Sequence, residues 1–193
     1  MRVKEDAKLT NIYQATINLT SKVGISGLKM SLIAKEAHIA TGTIYLYFKN
    51  KNELLNAVYA HLKSEGLGTL MGKIDHLPIH AQLYRLWEIA FEYYVSNHAK
   101  SIFMEQFEVS SIISTENKEL EEDTIVFLNT TLDKAKAQGI IKNINNHLIV
   151  SLILGFLKDL SFKATTAVIE SNEEIKHISY SMCWDAICKN INE

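Results

Sequence analysis

Apolar residues recur every three or four positions along almost the whole chain, and strict alternation of apolar and polar residues is scarce. Because an α-helix repeats every 3.6 residues and a strand every two, this pattern predicts an all-α protein. The first helix is expected over 5–23, ending near Gly24, where the pattern breaks. The next predicted helices are 30–37, 41–48 and a longer one from about Asn50 to Gly66.

The stretch between residues 66 and 78 contains three of the eight glycines and the single proline, Pro78. Glycine and proline interrupt regular structure, so we expect this stretch to be a joint that connects two domains. The predicted domains are a head over 1–50, a connecting helix over about 51–66, and a helical domain over 67–193. Within that last domain the predicted helices are 79–97, 99–113, 118–138, 145–168 and about 172–191.

Charge is divided unevenly along the chain. Residues 1–51 carry eight Lys or Arg against three Asp or Glu, a net of +5, whereas residues 52–193 carry twelve against nineteen, a net of −7. The total of −2 by itself argues against a nucleic-acid-binding protein. A basic head followed by an acidic remainder instead predicts that the head meets a polyanion.

The rest of the composition is that of an ordinary folded protein, with 47% hydrophobic and 22% charged residues. No run of eighteen apolar residues occurs and the N-terminus lacks an apolar signal-peptide core, so we expect a cytoplasmic protein that does not span a membrane. Cys183 and Cys188 lie five residues apart on a predicted helix, on different faces. They are expected to be reduced, mostly buried thiols.

The head contains a pattern typical of a helix-turn-helix motif. Two short segments with helical periodicity, MSLIAKEA at 30–37 and TGTIYLYF at 41–48, are separated by three residues. Small and branched side chains allow two steeply crossing helices to approach closely. The residues expected to pack the pair together are Ile33, Ala34, Ala37, Ile39 and Ile44.

The outward side of the second segment carries candidate DNA contacts. With Ile44 and Phe48 turned to the core, the residues left facing outward are Gly42, Thr43, Tyr45 and Tyr47. Eight residues of helix span roughly 12 Å, comparable to the width of the DNA major groove. Gly42 permits close backbone approach, and the hydroxyl groups can contact phosphates or base edges. Thr41 is expected to cap this helix and to be one of the DNA-binding residues, and Lys51 is expected to bind a phosphate beside the free amides of the next helix.

Taken together, Gly24, IAKEA at 33–37 and TGTIYLYFKNKNELL at 41–55 resemble the DNA-binding domain of the TetR family of bacterial transcriptional regulators. The shared features are a glycine before the second helix, an Ile-Ala pair within it, a small-Gly-Thr-aliphatic-Tyr-x-x-Phe helix, and a Lys-x-Glu-Leu-Leu start to the next. The resemblance covers roughly residues 8–60. The remainder is similar to the family in size and helical character only.

The resemblance implies an N-terminal three-helix DNA-binding domain and a C-terminal helical domain for ligand binding and dimerisation. It implies a homodimer that places its third helices in successive major grooves of a near-palindromic operator. The DNA-contacting positions it implies are Gly42, Thr43, Tyr45, Tyr47 and Lys51. Two residues depart from the family pattern. Lys29 replaces the usual capping Ser or Thr and is expected to contact phosphate by charge, and His38 replaces a glycine and must adopt an unusual backbone conformation.

The segment 145–164 is apolar on nearly all sides, so it must be covered all round. The last helix supplies one partner, and in the resembled family the two C-terminal helices of each subunit form a four-helix dimer interface. The residues predicted at that interface are Leu152, Phe156, Leu160, Ile178 and Met182. Burial within a single chain is the alternative.

Aromatic and methionine side chains concentrate on the three central helices, where the resembled family houses its inducer. The predicted pocket residues are Trp87, Phe91, Tyr94, Phe103, Met104, Phe107 and Phe127. An ordinary core would contain the same residues, so the pattern leaves both interpretations open. Nearby glutamates are suited either to a cationic ligand or to a solvated surface; they are Glu88, Glu92, Glu105 and Glu108.

Catalysis finds little support in the sequence. His76 and His80 have the spacing of a helical metal pair, but Pro78 lies between them and no third ligand is evident. The chain contains no glycine-rich phosphate loop and no nucleophile elbow. We therefore expect neither an enzyme nor a metal or cofactor.

These observations predict a dimeric, sequence-specific transcriptional regulator, most simply a repressor released from double-stranded DNA by a small-molecule inducer. The inducer would move the joint near 66–78 and change the separation of the two recognition helices. One alternative is a TetR-like DNA-binding protein without a small-molecule inducer, controlled by a protein partner. The other is a ligand-binding or interaction module whose head has lost DNA binding.

Overall fold

The computed structural model describes residues 2–66 and 73–189, with side chains described from Ala7 onward. The regular structure in these ranges is helical, which confirms the all-α prediction. The α-helices are α1 (Arg2–Gly27), α2 (Met30–Glu36), α3 (Thr41–Ile44), α4 (Lys51–Glu65), α5 (Ile79–Phe91), α6 (His98–Glu108), α7 (Thr115–Ala137), α8 (Asn146–Thr165) and α9 (Glu173–Ile187). Within the described ranges, no helix has both the length and the apolar character needed to cross a bilayer.

Several helix ends differ from the predicted bounds, among them those of the segments 41–48, 99–113 and about 172–191. The segment 41–48 is α-helical only to Ile44; beyond it the amides of Leu46 and Tyr47 donate three residues back, to Thr43 and Ile44, so the chain tightens into a turn. The helix predicted over 99–113 ends at Glu108. The last helix ends at Ile187, whose carbonyl accepts the amide of Lys142 at 2.8 Å, and the predicted end at 191 lies outside the described residues.

The helix predicted over 79–97 changes its winding near its end. Residues Ile79–Phe91 are α-helical, and Glu92–Ser96 form a π-helical turn. The side-chain amide of Asn97 donates to the carbonyl of Glu92 at 2.7 Å and closes this turn. Single π-helical turns inside α-helices are frequent at functional sites.

The chain divides into two compact units. The N-terminal unit comprises residues 1–64 and 99–120, and the C-terminal unit comprises 65–98 and 121–193. The predicted division into a head over 1–50, a connecting helix and a domain over 67–193 stays a prediction. By packing, the stretch 99–120 groups with the head and α4.

The core of the N-terminal unit is formed where α1, α2, α4 and α6 bury their apolar faces. The predicted packing residues Ile33, Ala34 and Ile44 are fully buried, and Phe48 is 6% exposed, which confirms the inner face of the helix-turn-helix. On α4, Tyr59 lies 4.8 Å from the ring of Phe107 on α6. The fully buried residues of α4 and α6 in this core are Leu54, Leu55, Val58, Tyr59, Leu62, Phe103 and Phe107.

Polar side chains fix α6 and the following loop to the rest of this unit. The Oε1 of Gln106 accepts the amide of Ile25 at 2.9 Å. Asn56 on α4 donates to the carbonyl of Ile112 at 2.9 Å and accepts the amide of Ser114 at 2.7 Å. Gln106 thus bonds α6 to the last residues of α1, and Asn56 bonds the loop after α6 to α4. These segments therefore form one body with the head.

The C-terminal unit contains two apolar clusters. One centres on Ile79, Leu132, Ala135, Ile141, Ile149 and Ile187. The other centres on Trp87, Phe91, Val95, Leu157, Leu160 and Cys183. Both cysteines are free thiols, Cys183 buried and Cys188 half-buried, as the sequence predicted.

Candidate functional site

The turn between α2 and α3 has the geometry of a tight helix-turn-helix. Its backbone is held by the amide of Ile39, which donates to the carbonyl of Ala34 at 2.9 Å. His38 has a φ of 56°, in the left-handed region that favours glycine. The prediction of an unusual backbone at His38 is therefore confirmed. Glycine, which has no Cβ, adopts this conformation more easily than histidine does.

The outer side of α3 and the turn after it carries the predicted DNA-contacting groups. Thr41 and Gly42 are exposed, and Tyr45 has 52% of its surface exposed. Thr43 and Tyr47 are half-buried. The ring of Tyr47 lies 6.4 Å from that of Phe48, so its body packs on the core. The structure thus brings these five residues onto one segment, with hydroxyl groups at the surface of the head.

At the N-terminus of both α2 and α3, the N-cap residue makes no side-chain hydrogen bond to the amides of the first turn. Lys29 occupies the N-cap of α2 in an extended conformation without a capping hydrogen bond, as predicted, and is exposed. Thr41 was expected to cap the next helix, and this expectation is wrong. The N-cap is Ala40, and Thr41 is already the first helical residue, where its hydroxyl cannot reach the first-turn amides in capping geometry.

The start of α4 is capped by residues that the sequence interpretation did not use. Asn50 Oδ1 accepts the amide of Glu53 at 2.9 Å, and Glu53 Oε2 accepts the amide of Lys49 at 2.7 Å. This reciprocal arrangement resembles a capping box, with its signal in the spacing Asn50-x-x-Glu53. The amides of Lys49 and Glu53 are therefore occupied, which removes part of the expected anion site at this helix end.

Lys51 lies half-buried at the first position of α4. Its Nζ donates to the carbonyl of Ile25 at 3.3 Å. This contact ties the start of α4 to the turn before α2. In this structure Lys51 holds the motif together, and its contact with phosphate stays a prediction.

The C-terminal unit contains an apolar cavity of about 120 Å³. It lies among α5, α7, α8 and α9. Its lining residues are Leu83, Leu86, Trp87, Ala90, Leu128, Leu132, Ile149, Val150, Ile153, Leu154, Tyr180, Cys183, Trp184 and Ile187. Burial raises the pKa of Tyr180 to about 12 and that of Cys183 to about 11, so both are uncharged at neutral pH.

Of the seven predicted pocket residues, Trp87 lines this cavity. Phe103, Met104 and Phe107 are instead buried in the N-terminal unit. Phe91 is buried in the core of the C-terminal unit, and Tyr94 and Phe127 are half-buried there. The lining residues that sequence reasoning missed come largely from α8 and α9, where the signal was the pair Tyr180 and Trp184, four residues apart on the last helix.

The glutamates Glu88, Glu92 and Glu108, near the central aromatics, lie beside cations of the chain. Glu88 pairs with Arg85 at 2.5 Å, and Glu108 pairs with Lys63 at 3.2 Å. Glu92 lies 3.8 Å from the Nζ of Lys176, a lysine that is only 9% exposed. The pKa of Lys176 is raised, chiefly by its hydrogen bond to Glu173, so this lysine stays charged. These glutamates already have partners within the fold.

The two C-terminal helices carry an exposed apolar face, defined here by Leu148, Leu152, Phe162, Ile178 and Met182, whose exposed fractions are 64%, 44%, 63%, 49% and 57%. Three of these residues were predicted at a dimer interface. Of the other two predicted residues, Phe156 is half-buried and Leu160 is only 5% exposed, within the core of its own chain. Leu148 and Phe162 were missed.

A metal centre finds no support in the described ranges, which contain no group of three His, Cys, Asp or Glu side chains able to hold an ion. His80, one of the spaced histidines, packs instead against Trp184, with ring centroids 4.6 Å apart. His76 lies 3.9 Å from Asp75 at the surface.

Comparison with known proteins identifies both parts of the chain. The family model described as bacterial regulatory proteins of the tetR family matches residues 12–58, and the model described as the tetracyclin repressor-like C-terminal domain matches residues 78–188. An uncharacterized HTH-type transcriptional regulator of Haemophilus influenzae is 34% identical over 109 residues, which are 56% of this chain and 58% of that protein. The alignment thus spans less than two thirds of that relative.

Solved structures share the whole fold. A TetR family transcription regulator from Marinobacter aquaeolei is 22% identical with a TM-score of 0.83, over 98% of this chain and 100% of that one. The transcriptional regulator FadR of Bacillus subtilis, solved in complex with stearoyl-CoA, is 18% identical with a TM-score of 0.65, over 92% of this chain and 98% of that one. The chain belongs to the TetR family, whose members are helix-turn-helix DNA-binding transcriptional regulators and not enzymes.

Proposed function

We propose that this regulator is a homodimeric repressor that binds a near-palindromic operator and is released from it by a small molecule. The observation that carries the proposal is the pairing of two surfaces in one chain. One is the hydroxyl-bearing side of α3 and its turn, and the other is the exposed apolar face of α8 and α9. The first suits the sugar-phosphate backbone and base edges, and the second suits another copy of itself.

The exposed apolar face has the spacing of a helix-pairing stripe. Leu148, Leu152 and Phe162 lie on one side of α8, and Gly155 shares that side. A Cβ at Gly155 would meet nothing within 4 Å, so this glycine leaves open space at the surface. A second helix can approach closely there. Apolar side chains exposed together on one side of a helix mark an interaction site.

The cavity in the C-terminal unit supports control by a ligand. It is apolar and partly enclosed by four helices, which is the usual character of small-molecule sites. α5 lines it through Leu86 and Trp87, and the chain then passes through the π-helical turn into α6. Since Gln106 on α6 bonds the amide of Ile25, a displacement of α5 by a ligand would be transmitted along α6 to the head.

The proposed release from the operator depends on the two-fold symmetry of the dimer. In a dimer, each head must present α3 to successive major grooves about one helical turn apart. A ligand that binds better to a second arrangement of the chain shifts the population toward it. When the spacing of the two heads changes, the contacts in both half-sites are lost together.

The proposal is tested by selecting genomic DNA fragments on the purified protein and following their retention against salt. We expect enrichment of one near-palindrome. If about six phosphates are contacted, affinity should fall on the order of a thousandfold between 50 and 200 mM salt. Failure of a folded, dimeric protein to enrich any sequence at low salt would refute it.

A further inference from the structure

The cavity of the C-terminal unit also indicates the chemical class of its ligand. Its fourteen lining residues carry no side chain that is charged at neutral pH, because burial keeps Tyr180 and Cys183 protonated. A charged ligand would lose its hydration without gaining a counter-charge from this wall. This wall therefore suits an uncharged ligand.

The size of the cavity limits the size of the ligand. Its volume is about 120 Å³. A cavity of about 150 Å³ lined by aliphatic and aromatic side chains is known to hold one benzene molecule. The walls here include the rings of Trp87, Tyr180 and Trp184, with the last two 6.1 Å apart and nearly parallel. Walls of this kind suit a single flat ring.

Two lining residues carry buried polar atoms without a partner. Within the described part of the chain, the Nε1 of Trp87 and the hydroxyl of Tyr180 make no hydrogen bond. A buried donor left unpaired costs about 1–3 kcal/mol. Both atoms are covered in this structure, so a ligand oxygen accepts from either group only after a small rotation of that side chain. The new hydrogen bond would then remove part of that cost, whereas a pure hydrocarbon would not.

We propose that this cavity binds an uncharged, largely apolar molecule the size of one aromatic ring, with a hydroxyl or carbonyl oxygen that pairs with Trp87 or Tyr180. This inference rests on the small-molecule control proposed above. The long acyl chain of a ligand such as stearoyl-CoA exceeds this cavity. Only its tip would enter without a rearrangement of the four helices.

The two tryptophans of the chain, Trp87 and Trp184, both line the cavity, so their emission reports its occupancy. The probes are phenol, toluene, benzoate and stearoyl-CoA, titrated with emission and melting temperature as readouts. We expect saturable binding of phenol and toluene, and binding of benzoate at least tenfold weaker than that of phenol. Benzoate binding as tight as phenol, or no saturable response to either neutral ring, would overturn the inference.

Variants separate the polar contact from the cavity. Trp87→Phe and Tyr180→Phe keep an aromatic ring and remove the polar atom, so at least one of them should weaken phenol roughly tenfold and change toluene less than twofold. Ala90→Leu fills the cavity and should abolish both. Equal effects of the Phe variants on phenol and toluene would contradict the oxygen contact. Ring binding that leaves operator affinity unchanged would refute ligand-released repression while the ligand class stands.

A second, independent observation concerns Leu46. This leucine is 83% exposed, immediately after Tyr45 in the turn that follows α3. Its amide donates to the carbonyl of Thr43 at 3.1 Å, so it lies about one turn beyond the centre of α3. It is four residues after Gly42, where a Cβ would meet nothing within 4 Å. Gly42 and Leu46 are thus both open to solvent on the same short segment of the helix-turn-helix.

The major groove offers one apolar group to such a side chain, the C5-methyl of thymine. We infer that Leu46 contacts a thymine methyl and selects thymine at one position in each half-site, given the DNA binding of this family. Removal of one methyl contact corresponds to about a fourfold loss of affinity.

A double-mutant cycle tests this contact. On the enriched operator, each thymine is replaced in turn by deoxyuridine, which lacks the methyl, and binding of wild type, Leu46→Ala and Val109→Ala is measured. Val109 is the matched control, since it is 84% exposed outside the helix-turn-helix. One replacement should weaken wild type and Val109→Ala about fourfold and leave Leu46→Ala unchanged. If the operator is bound but no replacement distinguishes Leu46→Ala from wild type, the inference fails while DNA binding stands.

Discussion

The two compact units expose different chemistry at their surfaces. In the N-terminal unit, α3 and its turn present hydroxyl groups, a glycine and one apolar side chain, Leu46, while Ile44 and Phe48 of the same segment are buried. In the C-terminal unit, α8 and α9 present Leu152, Ile178 and Met182 to the outside. Polar groups on a basic head match a solvated polyanion, whereas an exposed apolar face requires another apolar surface. We infer that one unit reads DNA and the other pairs the chains.

The largest effect is expected from a charge on the apolar face. Leu152→Glu would bury a carboxylate at the proposed interface and should convert the dimer to a monomer, visible by light scattering. Because two linked heads bind far more tightly than one, operator affinity should fall a hundredfold or more. Val126→Glu is the matched control, since Val126 is 63% exposed on α7. A Leu152→Glu protein that stays dimeric would contradict the interface.

Two of the three glycines of the N-terminal unit, Gly42 and Gly24, sharpen the contrast between folding and binding. Gly42→Ala meets no neighbour within 4 Å, so it should leave the melting temperature unchanged or slightly raised, yet lower operator affinity about tenfold by holding the backbone off the duplex. Gly24 has a φ of +68° with Gln106 Oε1 at 3.4 Å from a built Cβ. Gly24→Ala should instead destabilise the fold by about 1–2 kcal/mol. Unimpaired DNA binding by Gly42→Ala would argue against close approach.

Removal of single hydroxyl groups should give a smaller effect. Tyr45 is exposed, whereas Tyr47 is half-buried against Phe48. Tyr45→Phe should lower affinity roughly fivefold, about 1 kcal/mol for one hydrogen bond, without altering stability. The loss should be similar for all DNA sequences if the partner is a phosphate. A loss confined to one base position would instead assign Tyr45 to base reading.

The smallest expected change concerns the turn. His38 occupies a left-handed conformation that costs a residue with a Cβ about 1–2 kcal/mol. His38→Gly removes this strain but gains freedom in the unfolded chain, so we expect a net stabilisation of about 0.5–1 kcal/mol by chemical denaturation. His38→Ala, which keeps the Cβ, should not stabilise. A destabilised glycine variant would show that the imidazole makes a compensating contact.

The sequence predicted the helix-turn-helix well because its residues act locally. The burial of Ile33, Ala34, Ile44 and Phe48 follows from spacing within two short helices, and the unusual backbone at His38 was predicted because the family pattern has a glycine at this position. The capping pair Asn50 and Glu53 was equally local and was overlooked.

The C-terminal unit was harder to predict because tertiary packing decides which apolar residue is buried. Leu152 and Leu160 lie on the same helix and are alike in sequence, yet Leu152 is 44% exposed and Leu160 is 5% exposed. A cavity wall and a core also have the same composition. Phe103 and Phe107 were predicted to line a pocket, but α6 packs with Tyr59 in the other unit.

The most direct test of this division of labour is the stoichiometry of the complex on the enriched operator, measured by sedimentation with one half-site intact or scrambled. The account predicts two chains on the intact near-palindrome, and an affinity loss of a hundredfold or more when one half-site is scrambled. Binding of a single chain, with equal affinity for one half-site and two, would contradict it.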